Sequence, residues 1–491
     1  MNQASRARCW RWLSTAAAGT LLAACGGLPR GAGGDSPAAQ ARLLASPPAS
    51  LAAAWQAPLP AGGVEIAASG PAFDDPLLPS LVSAAQAASP SLAAAAARVE
   101  RARATRAAAG AALLPQVNAV GSAVQGRQIL GAPVAGQASL GLQAAWEIDL
   151  FGGQAAGRDA AQARLEGAQF AHADARTAVA AEVATSYVAL RACEAQWVQT
   201  RGDAESRAET TRLTELSARA GFTAPADAAL VRASAAQSRS QAVAQRAACE
   251  TLLKSLVELS DITEPELRQR LAERSASVPV PAALAVPVLP AALLARRPDV
   301  AEAARNVLAA AGDRTQTQAR QRPQISLSGS IAGVTLRTAQ ESTSGGTWSL
   351  GPLTVSFPLF DGGARAAASV AAQARYDEAV AVYRAQVRRA LREVEAGLVA
   401  LQSTAERDAD ARLAAQDFEA SLRATQARQK GGLASLFDLE TARRNALAAQ
   451  GALIELQRER AVAWINLYRA LGGGFDEARL AAAARPRDPL P

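Results

Sequence analysis

Between Ser139 and Leu150 every second side chain is apolar or small. Leu140, Leu142, Ala144, Trp146, Ile148 and Leu150 share one parity, and Ser139, Gly141, Gln143, Ala145, Glu147 and Asp149 share the other. This alternation predicts a β-strand with an apolar and a polar face. It returns where Ile325, Leu327 and Ile331 oppose Ser326, Ser328 and Ser330, and again where Leu353, Val355 and Phe357 oppose Thr354 and Ser356. Gly351-Pro352 shifts the phase of the last run, which predicts a bulge. A weaker run extends from Val117 to Gln128. Four strands are expected, at about 117–128, 139–150, 325–336 and 347–357.

Elsewhere the period lengthens. Tyr376, Val380, Tyr383, Val387, Leu391, Val394, Leu398 and Leu401 follow steps of four and three, the period of interhelical packing. Val179, Val183, Tyr187 and Leu190 begin an equivalent seam. Residues 154–220 and 364–429 contain no proline. Each predicts one helix of about 67 residues and about 100 Å, too long to stand without coiled-coil support. Ala220-Gly221-Phe222-Thr223-Ala224-Pro225 and Gly431-Gly432-Leu433-Ala434-Ser435 then predict turns, with glycine as the helix C-cap. Helices return over 226–260 and 434–471, making two helical hairpins.

The whole order occurs twice. Pro90 and Pro298 lie 208 residues apart, as do Pro115 and Pro323. Gly152-Gly153 returns as Gly362-Gly363, Gly221 as Gly432, and Asp227 as Asp438. So near-constant an offset marks duplication of a structural unit. The expected organisation is a signal peptide (1–24), a lipidated tether (25–73), a first repeat (74–260), a linker (261–290), a second repeat (291–474) and a tail (475–491).

Soluble half-buried strands alternate in the same way, but the run lengths also fit membrane-spanning strands of about 9–11 tilted residues. Trp146, Trp348 and Phe360 stand near strand ends, where an aromatic girdle would lie. Four strands cannot close a barrel, and open sheet edges are not tolerated in hydrocarbon. The strands must join those of other subunits, and three copies would supply twelve. The expected fold class is an α+β membrane protein. It combines long α-helical coiled-coil hairpins with four transmembrane β-strands per chain, forming a trimeric 12-stranded β-barrel over a periplasmic α-helical barrel.

Composition and charge refine this. Aromatics are only 4% of the 491 residues and alanine dominates the apolar 49%, which suits thin packed helices more than a thick globular core. The net charge of +7 comes from arginines interleaved with acids, so nucleic-acid binding is not expected. Arg6, Arg8 and Arg11 precede an apolar stretch from Leu13 to Ala24, too short to span a bilayer permanently. The stretch ends in Leu22-Ala23-Ala24-Cys25, which resembles a bacterial lipobox; Cys25 is then the lipidation site, palmitate among its acyl chains. Gly26, where an Asp would resemble an inner-membrane retention signal, favours the outer membrane. Cys193 and Cys249 each lie 28 residues from Gly221, so a hairpin tip there sets them at one height on facing helices. Export to an oxidising compartment predicts their disulfide.

Taken together, residues 74 to 474 resemble the outer-membrane factor family, the TolC- and OprM-like channels, in its lipoprotein branch. Asp75-Pro76-Leu77, Ala88-Ser89-Pro90-Ser91-Leu92 and Arg98-Val99 look like the family's opening helix. Leu293-Leu294-Ala295-Arg296-Arg297-Pro298-Asp299-Val300 is similar to its second-copy motif. Asp149-Leu150-Phe151-Gly152-Gly153 and Phe357-Pro358-Leu359-Phe360-Asp361-Gly362-Gly363 look like its two strand-to-helix junctions. The resemblance implies a homotrimer in outer-membrane lipid, with a periplasmic extension. It also implies two partners, a periplasmic membrane-fusion adaptor and an inner-membrane resistance-nodulation-division pump. It places a gate or aperture at Asp438, with Phe437, Glu440 and Thr441 beside it; Thr441 stands where TolC has a second aspartate. Adaptor contacts would fall on the tips, at Gly221, Phe222, Thr223 and Asp227, and at Gly432, Leu433 and Ser435. Asp227 and Asp438 have a second reading, as acids favouring the start of a returning helix.

The expected function is the outer-membrane exit duct of a tripartite efflux system for small molecules and drugs, with type I protein secretion as the alternative. A periplasmic coiled-coil adaptor or structural lipoprotein would explain the helices but not the strands. An enzyme is not expected: the single histidine, His172, falls inside a long helix, and no catalytic or metal set assembles around it. No cofactor is expected beyond the lipid at Cys25.

Overall fold

Helix lengths repeat almost residue for residue in the computed structural model, which describes residues 56–57, 73–127, 134–281, 297–339 and 341–475. The first repeat holds α1 (Leu77–Ala88), α2 (Pro90–Ala111), β1 (Gln116–Gly126), β2 (Ala135–Ile148), α3 (Gly153–Arg219) and α4 (Pro225–Ser260). After α5 (Glu264–Leu271), the second holds α6 (Pro298–Ala319), β3 (Gln324–Arg337), β4 (Ser342–Ser356), α7 (Ala364–Lys430) and α8 (Leu436–Ala470). Helices α2 and α6 both have 22 residues, α3 and α7 both have 67. Cys25 and most of the second-copy motif before Arg297 lie outside the described residues.

Local chemistry sets these boundaries. Pro90, Pro225 and Pro298 open their helices at the first turn, where a missing N–H costs nothing. The long helices start from aspartates placed before their glycine pairs. Asp149 accepts from the Gln154 and Ala155 N–H groups at 3.1 and 2.7 Å, and Asp361 from those of Gly363 and Arg365 at 2.9 and 3.2 Å. Each carboxylate satisfies orphan donors and meets the positive end of the helix dipole.

The four strands form one antiparallel sheet in the order β1-β2-β3-β4. Opposite Ser328, β4 carries two residues, Gly351 and Pro352, which is the bulge the phase shift predicts. Strands β2 and β4 begin at Ala135 and Ser342, earlier than expected. Those extensions are rich in glycine, alanine and serine, so they pair through the backbone without leaving an alternating pattern. Strand β2 stops at Ile148 because Asp149 is already capping α3.

The expected linker at 261–290 contains a structural element. Helix α5 buries Leu267 and Leu271 in the main apolar cluster, and Pro281 bridges Phe73. That cluster is a belt around the middle of the long helices. It joins Leu78, Leu81 and Val82 of α1, Val183 and Tyr187 of α3, Leu256 of α4, Val394 and Leu398 of α7, and Trp464, Ile465 and Leu467 of α8. In the expected tether, the Gln56 and Ala57 N–H groups donate to the Glu395 carboxylate at 2.8 and 3.0 Å. Cys193 and Cys249 are joined as a disulfide between α3 and α4, with Cα atoms 5.5 Å apart.

Arg297-Pro298-Asp299 forms a buried joint. The Arg297 guanidinium donates to both Asp299 oxygens at 2.9 and 2.6 Å, to Glu393 of α7 at 2.8 Å, and to the Ala470 carbonyl ending α8 at 3.0 Å. Burial pushes the Asp299 carboxyl up, but Arg297, with Gln386 and the Val300 N–H, holds it below the usual carboxylate range. Removing one member of such a pair leaves the others charged and dry. Arg297→Ala is expected to cost about 3–5 kcal/mol in thermal or denaturant unfolding. The contribution of Asp299 is present above its unfolded pKa, about 3.9, and is lost as pH falls through the depressed folded value. The wild-type advantage over Arg297→Ala should therefore shrink only in strong acid.

Candidate channel face and hairpin tips

Pairing across the sheet sorts its side chains onto two faces. Val117, Leu140, Leu142, Ile331, Trp348, Leu350, Leu353 and Val355 share one and are all exposed, Trp348 and Leu350 each to 80%. So large an apolar surface does not face water in a soluble monomer. The opposite face is mostly polar, with Val120, Val124, Val334 and Leu336 set among its polar residues. Asn118, Gln143, Ser330 and Ser349 stand in one row across all four strands. Ser122 and Ser139 hydroxyls bond at 2.8 Å, and Ser330 and Ser349 hydroxyls at 2.9 Å. The Trp146 indole N–H donates to the Leu113 carbonyl at 3.0 Å. Among the described residues, strands β1 and β4 each have one unpaired edge. No described helix is long and apolar enough to cross a membrane.

At the other end of the long helices, the two tips close identically. Gly221 and Gly432 take φ of +80° and +73°, a conformation that side chains resist. The residue after each glycine donates back five positions, Phe222 to the Ser217 carbonyl at 2.9 Å and Leu433 to Arg428 at 2.8 Å. Phe222, Leu433 and Phe437 are left exposed, Phe222 to 86%. The Thr223 and Ser217 hydroxyls meet at 2.6 Å. Asp227 sits in the first turn of α4.

Asp438 belongs to a capping box. Its backbone N–H donates to the Ser435 hydroxyl at 3.1 Å, and its carboxylate accepts from the Ser435 N–H at 3.0 Å. The Ser435 hydroxyl and N–H hold its pKa below the usual carboxylate range. Thr441 lies one turn further on and accepts from Arg444 at 3.4 Å. Glu440, grouped with the aperture by sequence, turns the other way. Its carboxylate is shared by Arg207 of α3, Arg443 of α8 at 2.9 Å, and the Ser234 hydroxyl of α4 at 2.7 Å. Arg443, only 4% exposed, also reaches Ser206 and Thr210 of α3 at 3.0 and 2.7 Å. This polar knot binds one hairpin to the other. Burial, not proximity in sequence, decides where Glu440 points: its side chain is 13% exposed, and a carboxylate there requires cationic partners.

Sequence reasoning missed the knot because its members are spread over α3, α4 and α8. The only signal was arginine at positions of a helix that its partner covers.

A sheet with a lipid-type face, a polar face and two open edges, continued by long helical hairpins, defines a subunit of an outer-membrane channel. Residues 81–260 and 289–473 match the outer membrane efflux protein family, to which this chain belongs. It is 29% identical over 431 residues to the pyoverdine export outer membrane protein OpmQ of Pseudomonas aeruginosa, covering 84% of this chain and 89% of that one. It is 28% identical over 454 residues to the probable efflux pump outer membrane protein TtgC of Pseudomonas putida, covering 88% and 92%. The solved outer-membrane channel OprN superposes with a TM-score of 0.75 at 27% identity, over 82% of this chain and 91% of that one. The role is that of an outer-membrane exit duct of an efflux system, with its helices on the periplasmic side.

Glu440→Ala would take the shared carboxylate from Arg443 and leave Arg207 only Asp203, at 2.7 Å, so the cost should fall toward the low end of about 3–5 kcal/mol. Hydrogen exchange should rise at 203–210 and 436–446 relative to the middle of the helices. Unchanged protection there would show that the knot does not hold the hairpins together.

Proposed function

We propose that three copies of the chain close one 12-stranded barrel, with β4 of each subunit pairing to β1 of the next. The open edges carry this reading, because unpaired backbone groups cost several kcal/mol each in hydrocarbon. The polar rows at Asn118, Gln143, Ser330 and Ser349 then line a wet lumen, and the apolar face meets lipid. The three pairs of hairpins continue the lumen as a periplasmic tube. Cysteines introduced in pairs on β1 and β4 should give covalent dimers and trimers under oxidation in membranes. Monomers alone, with the barrel intact, would overturn the arrangement.

In this reading the duct passes small molecules and drugs delivered by a resistance-nodulation-division pump through a periplasmic adaptor. The exposed Phe222 and Leu433, on turns held rigid by Gly221, Thr223, Gly432 and Ser435, supply the surface that an adaptor would cover. Acyl chains on Cys25 anchor the N-terminus. Export by close relatives named for efflux favours this over protein secretion.

The tip of α8 is the aperture. Threefold assembly brings three Asp438 carboxylates toward one axis, with Phe437 and Thr441 beside them. Their mutual repulsion opposes the Ser435 hydrogen bonds and attracts cations. Asp438→Ala should raise conductance and antibiotic leakage in cells lacking the pump, whereas Ser435→Ala, which removes only the cap's hydroxyl, should do so less. Equal leakage from the two variants, at equal trimer levels, would reduce Asp438 to a helix cap.

A further inference from the structure

We propose that Glu147 sets the charge preference of the duct at the junction of barrel and tube. The inference rests on the closed-barrel reading above. The described strands carry two ionisable residues, Glu147 and Arg337. Arg337 pairs with Gly136, which shares the parity of Leu140 and Leu142 and so belongs to the lipid-type face. Glu147 pairs with Ser326, and Ser326 with Thr354, all three exposed on the polar face. It is the single charge on that face of the described strands, one residue from the end of β2 nearest the long helices.

Among the described residues the Glu147 carboxylate makes no hydrogen bond or ion pair. Asp149 and Arg320 line the same shallow cavity of about 50 Å³. Asp149 is occupied by the N–H groups of Gln154 and Ala155, and Arg320 forms no ion pair with Glu147. Trp146, pinned to the Leu113 carbonyl, fixes the backbone beside it.

Twelve strands spaced about 4.8 Å apart and tilted about 40° enclose a backbone cylinder of about 12 Å radius. A glutamate reaching about 4 Å inward places its charge about 8 Å from the axis. The Debye length is about 10 Å at 0.1 M salt and about 3 Å at 1 M. Three Glu147 carboxylates therefore act across the whole lumen at low salt and only near the wall at high salt. Serine, threonine, asparagine and glutamine in the rows above add dipoles but no net charge. The collar favours cationic permeants over anionic ones of equal size, independently of the tip.

The test is reversal potential across planar phosphatidylethanolamine bilayers holding the full-length protein, under potassium chloride gradients. All variants are made in an Asp438→Asn background, so that the tip does not mask the collar. Glu147→Gln should lower the potassium-to-chloride permeability ratio about threefold near 0.1 M salt and far less near 1 M. Glu147→Lys should invert the preference, and Glu147→Asp should retain it. A ratio unmoved by both Glu147→Gln and Glu147→Lys, with normal conductance, would overturn the proposal. So would Asp438→Asn abolishing selectivity by itself, with no further change from Glu147→Gln. Absence of conductance from the unaltered protein would instead sink the barrel reading on which the collar depends.

Discussion

Backbone hydrogen bonding in lipid is the constraint on which the molecule turns. A strand edge in water can bond to solvent, but in hydrocarbon it has no partner. The described residues hold four strands with one apolar face and leave both outer edges unpaired. No rearrangement within the subunit closes a cylinder from four strands, because the curvature needed is far beyond that of small barrels of about eight. The sheet therefore makes the subunit an incomplete object, and the helices inherit that incompleteness. Their exposed apolar residues, Val370, Val382, Val399 and Leu413 along α7, lie on the repeat that has fewer neighbours within the chain.

Buried charge lies in the helical half and not in the strands. The helical half carries buried arginines at joints between helices, Arg191 at Tyr187 and Leu271, Arg297 at Asp299 and Glu393, and Arg443 at Glu440. An alanine-rich helix offers little shape to fix its rotation against a neighbour. A fork of guanidinium donors fixes it instead, since misalignment leaves a buried charge unpaired. Specificity of packing is thus carried by a few polar joints, while the alanines allow close approach.

Much of this was legible in the residues. The period of Leu140 to Leu150 located β2, the seam from Tyr376 to Leu401 located α7, and Gly221 and Gly432 located both tips within a residue or two. Equal spacing of Cys193 and Cys249 from Gly221 identified facing positions because a hairpin preserves height. Strand starts at Ala135 and Ser342 were not legible, since glycine and serine pair through backbone alone. Helix α5 was hidden because eight residues are too few to show a period. Glu440 was misplaced because a charged residue near an exposed tip reads as exposed, and only the partner helix reveals that Arg207 and Arg443 surround it.

The duplication itself carries the argument for assembly one step further. Within the subunit α3 packs against its own α2 and against α6 of the following repeat, while α7 packs against its own α6 and α8. In the ring proposed above, α7 would meet the α2 of the next subunit as β4 meets its β1. The residues at the second junction mark that missing contact. Phe151 in the first copy is packed under the Arg322 guanidinium at 5.3 Å. Phe360, at the corresponding junction, is 92% exposed, and Leu359 beside it is nearly as bare. The junction aromatic is thus less exposed in the first copy, 37% against 92%, although Leu150 beside it is still 63% exposed. A neighbouring copy presenting β1 and α2, as in the arrangement proposed above, would cover the second junction.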